Sequence, residues 1–325
     1  MTRSSKHAAS DVMPTAFFKE YKMPLLVSCI AGLLLALHFF RPPISGLFTQ
    51  VFFDSLHVPV FGLIALCAYL AQNTQSAWRR RALVALAITA TLGVLSEAAQ
   101  IFTSRDASVN DLIADCAGAA GFLAILLAVF PPPETSWTRR FLLGGIAVAL
   151  LGWILTPLFV VSAAYSEQYA LFPTIARFDS RFGHVLKRTQ NIDYRVIPSG
   201  KGEPAHALVI LKDKPWPGVA FHDIQPDWSE YSVLIVHLSI DGDFPLPINL
   251  RVHDEAHKSS QKFSDRFNRA YSLQPGNHSL RIPLADLEHA PQGRSMDLSR
   301  ISEVIVFSDA SNAGRSFRLY EIRLE

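Results

Sequence analysis

Residues 97–121 read EAAQIFTSRDASVNDLIADCAGAAG. An apolar run from Ala82 to Leu95 leads into this stretch, and a second, from Phe122 to Phe130, leads out. Between them stand Glu97, Arg105, Asp106, Asp111 and Asp115, one basic side chain among four acids. With its flank, each half reaches the ~20 residues that a helix needs to cross a bilayer. The pattern therefore predicts two membrane helices joined by a turn around Thr103–Ala107, with charges at or just below a membrane surface. A charge at the centre of a membrane helix costs roughly 2.5–3.5 kcal/mol on insertion scales. Such a cluster is expected to have a function.

The rest of the composition divides the chain in two. Half of the 325 residues are hydrophobic, but residues 23–162 hold nearly all the long apolar runs. Residues 165–325 are polar, with short alternating patterns and frequent Pro, Gly, Asn and Asp, which marks a domain boundary near Ser162–Ser166. A net charge of +2 with no basic stripe excludes a nucleic-acid partner. The three cysteines, Cys29, Cys67 and Cys116, all fall in apolar runs, so no disulfide framework supports the polar half. There is no CxxC or HExxH pattern, and neither a metal nor a cofactor is expected.

Taken in order, residues 1–22 form a basic cytoplasmic tail, residues 23–163 a membrane domain, 164–173 a linker and 174–325 an exported β domain. Five membrane helices are expected, over Met23–Phe40, Phe52–Leu70, Ala82–Phe102, Asn110–Phe130 and Phe141–Val161. The tail, Arg79–Arg81 and Arg139–Arg140 are basic, whereas the intervening loops offer only Arg41 and Arg105. The positive-inside rule then puts the N-terminus in the cytoplasm and the C-terminal domain outside. In this topology Asp54 and His57 open the second helix, and Glu97 and Gln100 close the third. Asp111 and Asp115 begin the fourth, so all of them converge near the outer surface. The i,i+3 and i,i+4 spacings put each pair on one helix face, and Ala114, Ala117, Gly118, Ala120 and Gly121 offer a small-residue face for close packing. Alternatively, these acids are interfacial residues that complement a helix N-terminus.

An Asp-x-x-His at the start of one membrane helix, then E-x-x-Q, then R-x-x-S-x-x-D and a glycine-bearing helix, resembles the VanZ-like family. Here these are Asp54 and His57, Glu97 and Gln100, then Arg105, Ser108 and Asp111, with Gly118 and Gly121. The resemblance covers roughly residues 24–130. It departs from the family at Asp115, where an asparagine is usual. It implies a bacterial inner-membrane protein acting at the cell envelope, and the family's namesake is linked to resistance to the glycopeptide teicoplanin.

From Thr174 onward, nine short segments alternate apolar and polar residues: IARF, DYRVI, HALVIL, GVAFH, SVLIVHLSI, INLRVHD, HSLRIPL, ISEVIVFSD and FRLYEIRLE. Turn residues separate them, which predicts an all-β, jelly-roll type sandwich. The run PGVAF, DWSEYSVL, IPLADL, DLSRISEVIVFSD and FRLYEIRL is similar to carbohydrate-binding and galactose-binding-like domains. Sugar stacking calls for exposed aromatics beside polar groups. The candidates are Trp216, Phe221, His222, Phe263, Arg266, Phe267 and Tyr271, while Trp228 and Tyr231 are expected to plug the sandwich edge. Asp254, Glu255 and Asp265 resemble a glycosidase pair but fall in a Lys/Ser-rich loop expected to be solvated.

The sequence thus points to an envelope protein that binds or helps modify a glycan or lipid-linked glycan. Its partners would be a membrane lipid and a polysaccharide or cell-wall glycan. One rival makes the membrane cluster an enzyme site. Glu97 or Asp111 would be its base, His57 its acid or base and Arg105 an anion clamp, with Asp54, Gln100, Ser108 and Asp115 also binding substrate. A second rival makes the protein a structural or assembly factor of a polysaccharide system, its charges only pairing helices.

Overall fold

The computed structural model describes residues 24, 27–35, 46–73, 75–100, 108–133, 135–200 and 202–325. It divides into two compact units, Met1–Phe159 and Val160–Glu325. The basic tail and the turn holding Arg105 and Asp106 lie outside the described residues.

The first unit is helical. Residues 27–35 form α1, the described part of the first expected helix. Then come α2 (Leu47–Ser55), α3 (His57–Ala71), α4 (Trp78–Gln100), α5 (Val109–Val129) and α6 (Trp137–Ile154). Among the described residues, four spans are long and apolar enough to cross a membrane, not five: Leu47–Ala71, Trp78–Ala99, Val109–Val129 and Trp137–Ile154. The second span is not one helix opening at Phe52. It begins at Leu47 and carries a joint at Leu56, so Asp54 closes α2 and His57 opens α3. The fifth expected helix is also divided. Pro157 has no N–H to continue α6, so the chain turns at Leu155 and restarts as α7 (Thr156–Leu171). Residues 164–171 are therefore helical where a linker was expected.

Small residues let these helices meet. A Cβ on Gly118 would fall 2.3 Å from the Val58 carbonyl oxygen, and one on Gly62 would fall 2.5 Å from the Phe122 ring. Helix α5 thus packs directly on the backbone of α3. On its other side, Gly121 makes room for Leu151 of α6. Where α3 ends, Arg81 donates to the Tyr69 carbonyl at 3.1 Å. Near the end of α5, Arg140 donates to the Ala128 carbonyl at 3.1 Å. Both cations meet the negative ends of helix dipoles. The bundle therefore has a basic pole, opposite the helix ends that bear His57, Glu97 and Asp111.

The second unit is an antiparallel β-sandwich. Its strands are β1 (Thr174–Arg177), β2 (Lys187–Gln190), β3 (Ile192–Ile197), β4 (His206–Leu211), β5 (Gly218–His222) and β6 (Val233–Ile240). They continue with β7 (Leu246–Asp254), β8 (Phe267–Leu273), β9 (Gly276–Pro283), β10 (Ile301–Phe307) and β11 (Ser316–Leu324). One sheet runs β3-β4-β11-β6-β9, with β1 also on β11, and the other runs β2-β5-β10-β7-β8. Alternate residues of both fill the core, among them Val209, Val219, Leu234, Val236, Leu250, Val252, Val304, Phe317 and Leu319. Trp228 is fully buried, and its indole N–H reaches the Gln225 carbonyl at 2.9 Å.

Candidate functional site

In the helical unit, the crossing of α3 and α5 sets the geometry. Because Gly118 lets α5 touch Val58, Asp115, one turn earlier on the same face, is brought against His57. His57 Nδ1 lies 2.8 Å from Asp115 Oδ1, and both side chains are fully buried. An ionised carboxylate only accepts, so it places the imidazole proton on Nδ1. Gly93 of α4 leaves room for the same carboxylate: a Cβ there would fall 2.9 Å from Asp115 Oδ2. Asp111 Oδ2 stands 4.0 Å from His57 Nε2. Glu97 Oε2 accepts the Ser108 backbone N–H at 2.7 Å, while the Ser108 hydroxyl caps α5 by accepting from the Asn110 N–H at 3.2 Å.

Five of the sequence candidates, His57, Glu97, Ser108, Asp111 and Asp115, thus share one pole of the bundle. Asp54 closes α2 three residues before His57. Gln100 ends α4, and its side chain, like Arg105, lies outside the described residues. The ligand atoms of His57, Glu97 and Asp115 lie within 4.8 Å of one another, a grouping that can hold a divalent cation. No sequence motif announced it, because the three residues come from three helices.

The sandwich corrects several sugar-binding candidates. Phe221 and Phe267 point inward and are almost completely buried, so neither ring can stack on a sugar. Tyr271 is half-buried and packs against the same core. Trp216 is different: it is 65% exposed, in the left-handed region with φ 51°. Phe263 is 71% exposed, and the Arg266 guanidinium lies 5.2 Å from its ring centroid. Of the aromatic candidates, these two present exposed rings, and Arg266 is half-buried beside Phe263.

Much of the Lys/Ser-rich loop is exposed, as expected, but two of its acids, Asp254 and Asp265, are drawn in. Arg294 grips the fully buried Asp254 through two bonds of 2.6 and 2.8 Å and reaches Asp265 at 2.5 Å. The Asp297 backbone N–H adds a further bond to Asp254 at 2.9 Å. Burial alone would raise the Asp254 carboxyl, but Arg294 and the Asp297 N–H hold it below the ordinary carboxylate range. Both acids are engaged by one arginine, and Glu255 is engaged by Lys258 at 2.8 Å. This is a clasp rather than a hydrolytic pair.

Above the clasp, the outward face of the five-stranded sheet carries a polar patch that sequence reading largely missed. Register aligns Arg188, Ala220, Ile305, Arg251 and Asn268 across five strands, with His222, Glu303 and His253 in the neighbouring row. Arg251 donates to His257 Nε2 at 3.1 Å. A guanidinium cannot accept, so His257 carries its proton on Nδ1. Burial, with Arg251, His257 and Arg266 nearby, pushes His253 down to about 3, so it is neutral at pH 7. Arg251 Nε, His253 Nδ1, His257 Nδ1, Arg266 Nε and Asn268 Oδ1 are all buried without a hydrogen-bond partner among the described residues. Each such group costs about 1–3 kcal/mol if it stays unpaired.

No protein-family model matches the chain, and no curated protein matches it. Among solved structures it is similar to an exo-beta-agarase, at 17% identity and a TM-score of 0.38, over 47% of this chain and 24% of that one. It is also similar to a family 11 carbohydrate-binding module from Clostridium thermocellum, in complex with a beta-1,3-1,4-mixed-linked tetrasaccharide. There the identity is 10% and the TM-score 0.37, over 46% of this chain and 93% of that one. For a family 30 carbohydrate-binding module of a cellulosomal cellulase from the same organism, the values are 14% and 0.35, over 47% and 95%. The chain spans about a quarter of the agarase and nearly the whole of each module.

Proposed function

We propose that the protein is an inner-membrane component of a bacterial envelope whose β-sandwich binds a glycan outside the cytoplasm. The observation that carries the binding reading is the exposed Phe263 ring with Arg266 over it, beside partnerless polar groups. An aromatic face stacks on a pyranose ring while nearby donors take its hydroxyls. The membrane reading rests on the apolar helices and their two poles. Arg81 and Arg140 mark the pole expected on the cytoplasmic side, and His57, Glu97, Ser108 and Asp111 of the VanZ-like motif lie at the other.

The test is a glycan array probed with the detergent-solubilised full chain. Phe263→Ala and Trp216→Ala are expected to weaken any captured glycan while Trp228→Phe leaves the surface intact. Capture by both alanine variants equal to that of the unaltered chain overturns the assignment of these aromatics. Reporter fusions after Arg81 and Arg140 are expected to read cytoplasmic and one after Glu325 exported; a cytoplasmic C-terminus overturns the envelope reading.

The His57–Asp115 dyad favours a second reading, in which the helical pole acts on a lipid-linked substrate. A carboxylate behind an imidazole fixes its tautomer and raises its basicity, as general bases and metal ligands require. With teicoplanin susceptibility as the phenotype, His57→Asn, Glu97→Gln and Asp111→Asn are expected to accumulate normally and lose function. Unaltered function in all three leaves only helix pairing as the role of these charges.

A further inference from the structure

The partnerless atoms of the five-stranded sheet are concentrated. Among the described residues of the sandwich, side chains with a buried, unbonded N or O atom are Arg251, His253, His257, Arg266, Asn268, Tyr271 and Arg323. The first five belong to one patch. Register pairs Arg251 with Asn268 and Val252 with Phe267, so Arg266 falls beside His253 on the outward side. His257 closes the end through its bond to Arg251.

The patch is also unbalanced in charge. Burial and then the neighbouring Arg266 lower Arg251 from its usual range, and burial lowers Arg266. The acids nearby do not neutralise both. Asp265 is committed to Arg294 and Ser260. Glu303 stands 3.7 Å from His253 Nε2, too far for a hydrogen bond. Two like charges held together with unused donors and a single carboxylate, Glu303, between them are what an anion site looks like before its anion arrives. Neutral sugar hydroxyls would satisfy the donors but leave the charge unanswered.

We propose that Arg251 and Arg266, with His253, His257 and Asn268 around them, bind the acidic group of an anionic glycan, a uronic carboxylate or a sulfate ester. The proposal rests on the glycan-binding reading and names the substrate class for that same face. The exposed Phe263 ring, already under Arg266, stacks the sugar that bears the acid. Along the row towards β2, Ala220 and Ile305 keep the floor low, and Arg188 stands at the far edge, three strand spacings or about 14 Å from Arg251. A second acidic residue of the same polysaccharide would meet it.

The experiment uses the full chain in detergent against an array of neutral, uronic and sulfated oligosaccharides, followed by calorimetric titration of the hits. Acidic oligosaccharides are expected to bind roughly tenfold or more tightly than neutral ones of the same backbone. The uronic and sulfated arms identify the acid. Arg251→Gln combined with Arg266→Gln is expected to remove that preference. Should the double variant fail to fold, Arg266→Lys keeps a charge, lacks the planar fork and is expected to weaken acidic ligands alone. If neutral glycans bind as tightly, or the variants change nothing, the acidic-group site is overturned and the glycan reading stands. Capture of no glycan of any kind overturns both.

Discussion

The two outer faces of the sandwich treat charge in opposite ways. On the six-stranded sheet Arg318 pairs with Glu203 at 2.8 Å and with Asp241 at 3.1 Å. Tyr320 donates to the same Glu203 at 2.9 Å, and Ser316 to Asp241 at 2.8 Å. Each of these groups is answered by a neighbour from its own fold, and among the described residues of that sheet's strands Arg323 alone keeps a buried, unbonded Nε. On the five-stranded sheet Arg251 and Arg266 face one another, with Glu303 as the only uncommitted acid described nearby. Both faces carry arginines, so composition does not separate them. The pairing does: five side chains with buried, unbonded atoms gather in one patch of the five-stranded sheet, against Arg323 on the other.

The largest effect is expected beneath the incomplete face, where the Arg294 clasp holds the 254–265 loop in place. Arg294→Ala strands the buried Asp254 carboxylate, and breaking one side of a buried pair costs about 3–5 kcal/mol. Thermal melting followed by circular dichroism measures it. A loss below about 1 kcal/mol would mean that the loop, and the patch built on it, do not depend on the clasp.

The next effect is one of pH. His253 is held down to about 3, chiefly by burial and then by Arg251, and His257 is lowered for the same reasons. Below the ordinary histidine value of about 6.5 the unfolded chain takes up protons that the folded patch refuses. Stability is therefore full above pH 6.5 and falls as pH drops from there towards 3, at up to about 1.4 kcal/mol per unit for each histidine. His253→Asn is expected to flatten the slope between pH 6.5 and 5. If the slope persists unchanged, His253 is not the group that resists protonation. A further loss, near and below pH 4, is expected from Asp254 and Asp265, whose lowered values make their contribution present above that range and lost beneath it.

These effects bear on what was legible in the sequence. The nine alternating segments were all strands, because a half-buried antiparallel strand writes its burial with period two. The two strands that were missed, KRTQ and FNRAYSL, are the edges of the five-stranded sheet, where one side faces solvent and alternation fades. Missing β8 had a cost: without its register, Phe267 and Tyr271 could not be assigned inward or Asn268 outward. Phe221 was open to a better reading, since it shares parity with Val219 in GVAFH and both are core. In the helical unit the small-residue face around Gly118 was visible. That it would press on Val58, and so choose Asp115 as the partner of His57, required the crossing itself. Their separation of 58 positions carries no local signal.

A smaller pair of substitutions tests the comparison by sign. Arg266→Met removes a cation that repels Arg251 and has a buried, unbonded Nε, and is expected to raise the ligand-free stability by up to about 1 kcal/mol. Arg318→Met removes a half-exposed cation with two partners and is expected to lower it by about 0–1 kcal/mol. Melts of both variants without ligand decide the matter. The same sign for both would erase the distinction between the faces.

The smallest effect on stability is expected at Trp216. It holds a left-handed backbone at φ 51° while leaving most of its ring in solvent. For a residue with a Cβ that conformation costs roughly 1–2 kcal/mol against the right-handed form, a cost glycine avoids. An exposed indole has little buried area with which to offset this. Core packing therefore does not explain why a large aromatic occupies the position, whereas presentation of a flat apolar surface does. Trp216→Gly is expected to leave the melting temperature unchanged or slightly raised, because relief of strain balances the extra freedom of the unfolded chain. The same variant is expected to bind array glycans more weakly. A clear drop in melting temperature would make Trp216 a packing residue after all, and unchanged glycan capture would remove it from the candidates and leave Phe263 to act alone.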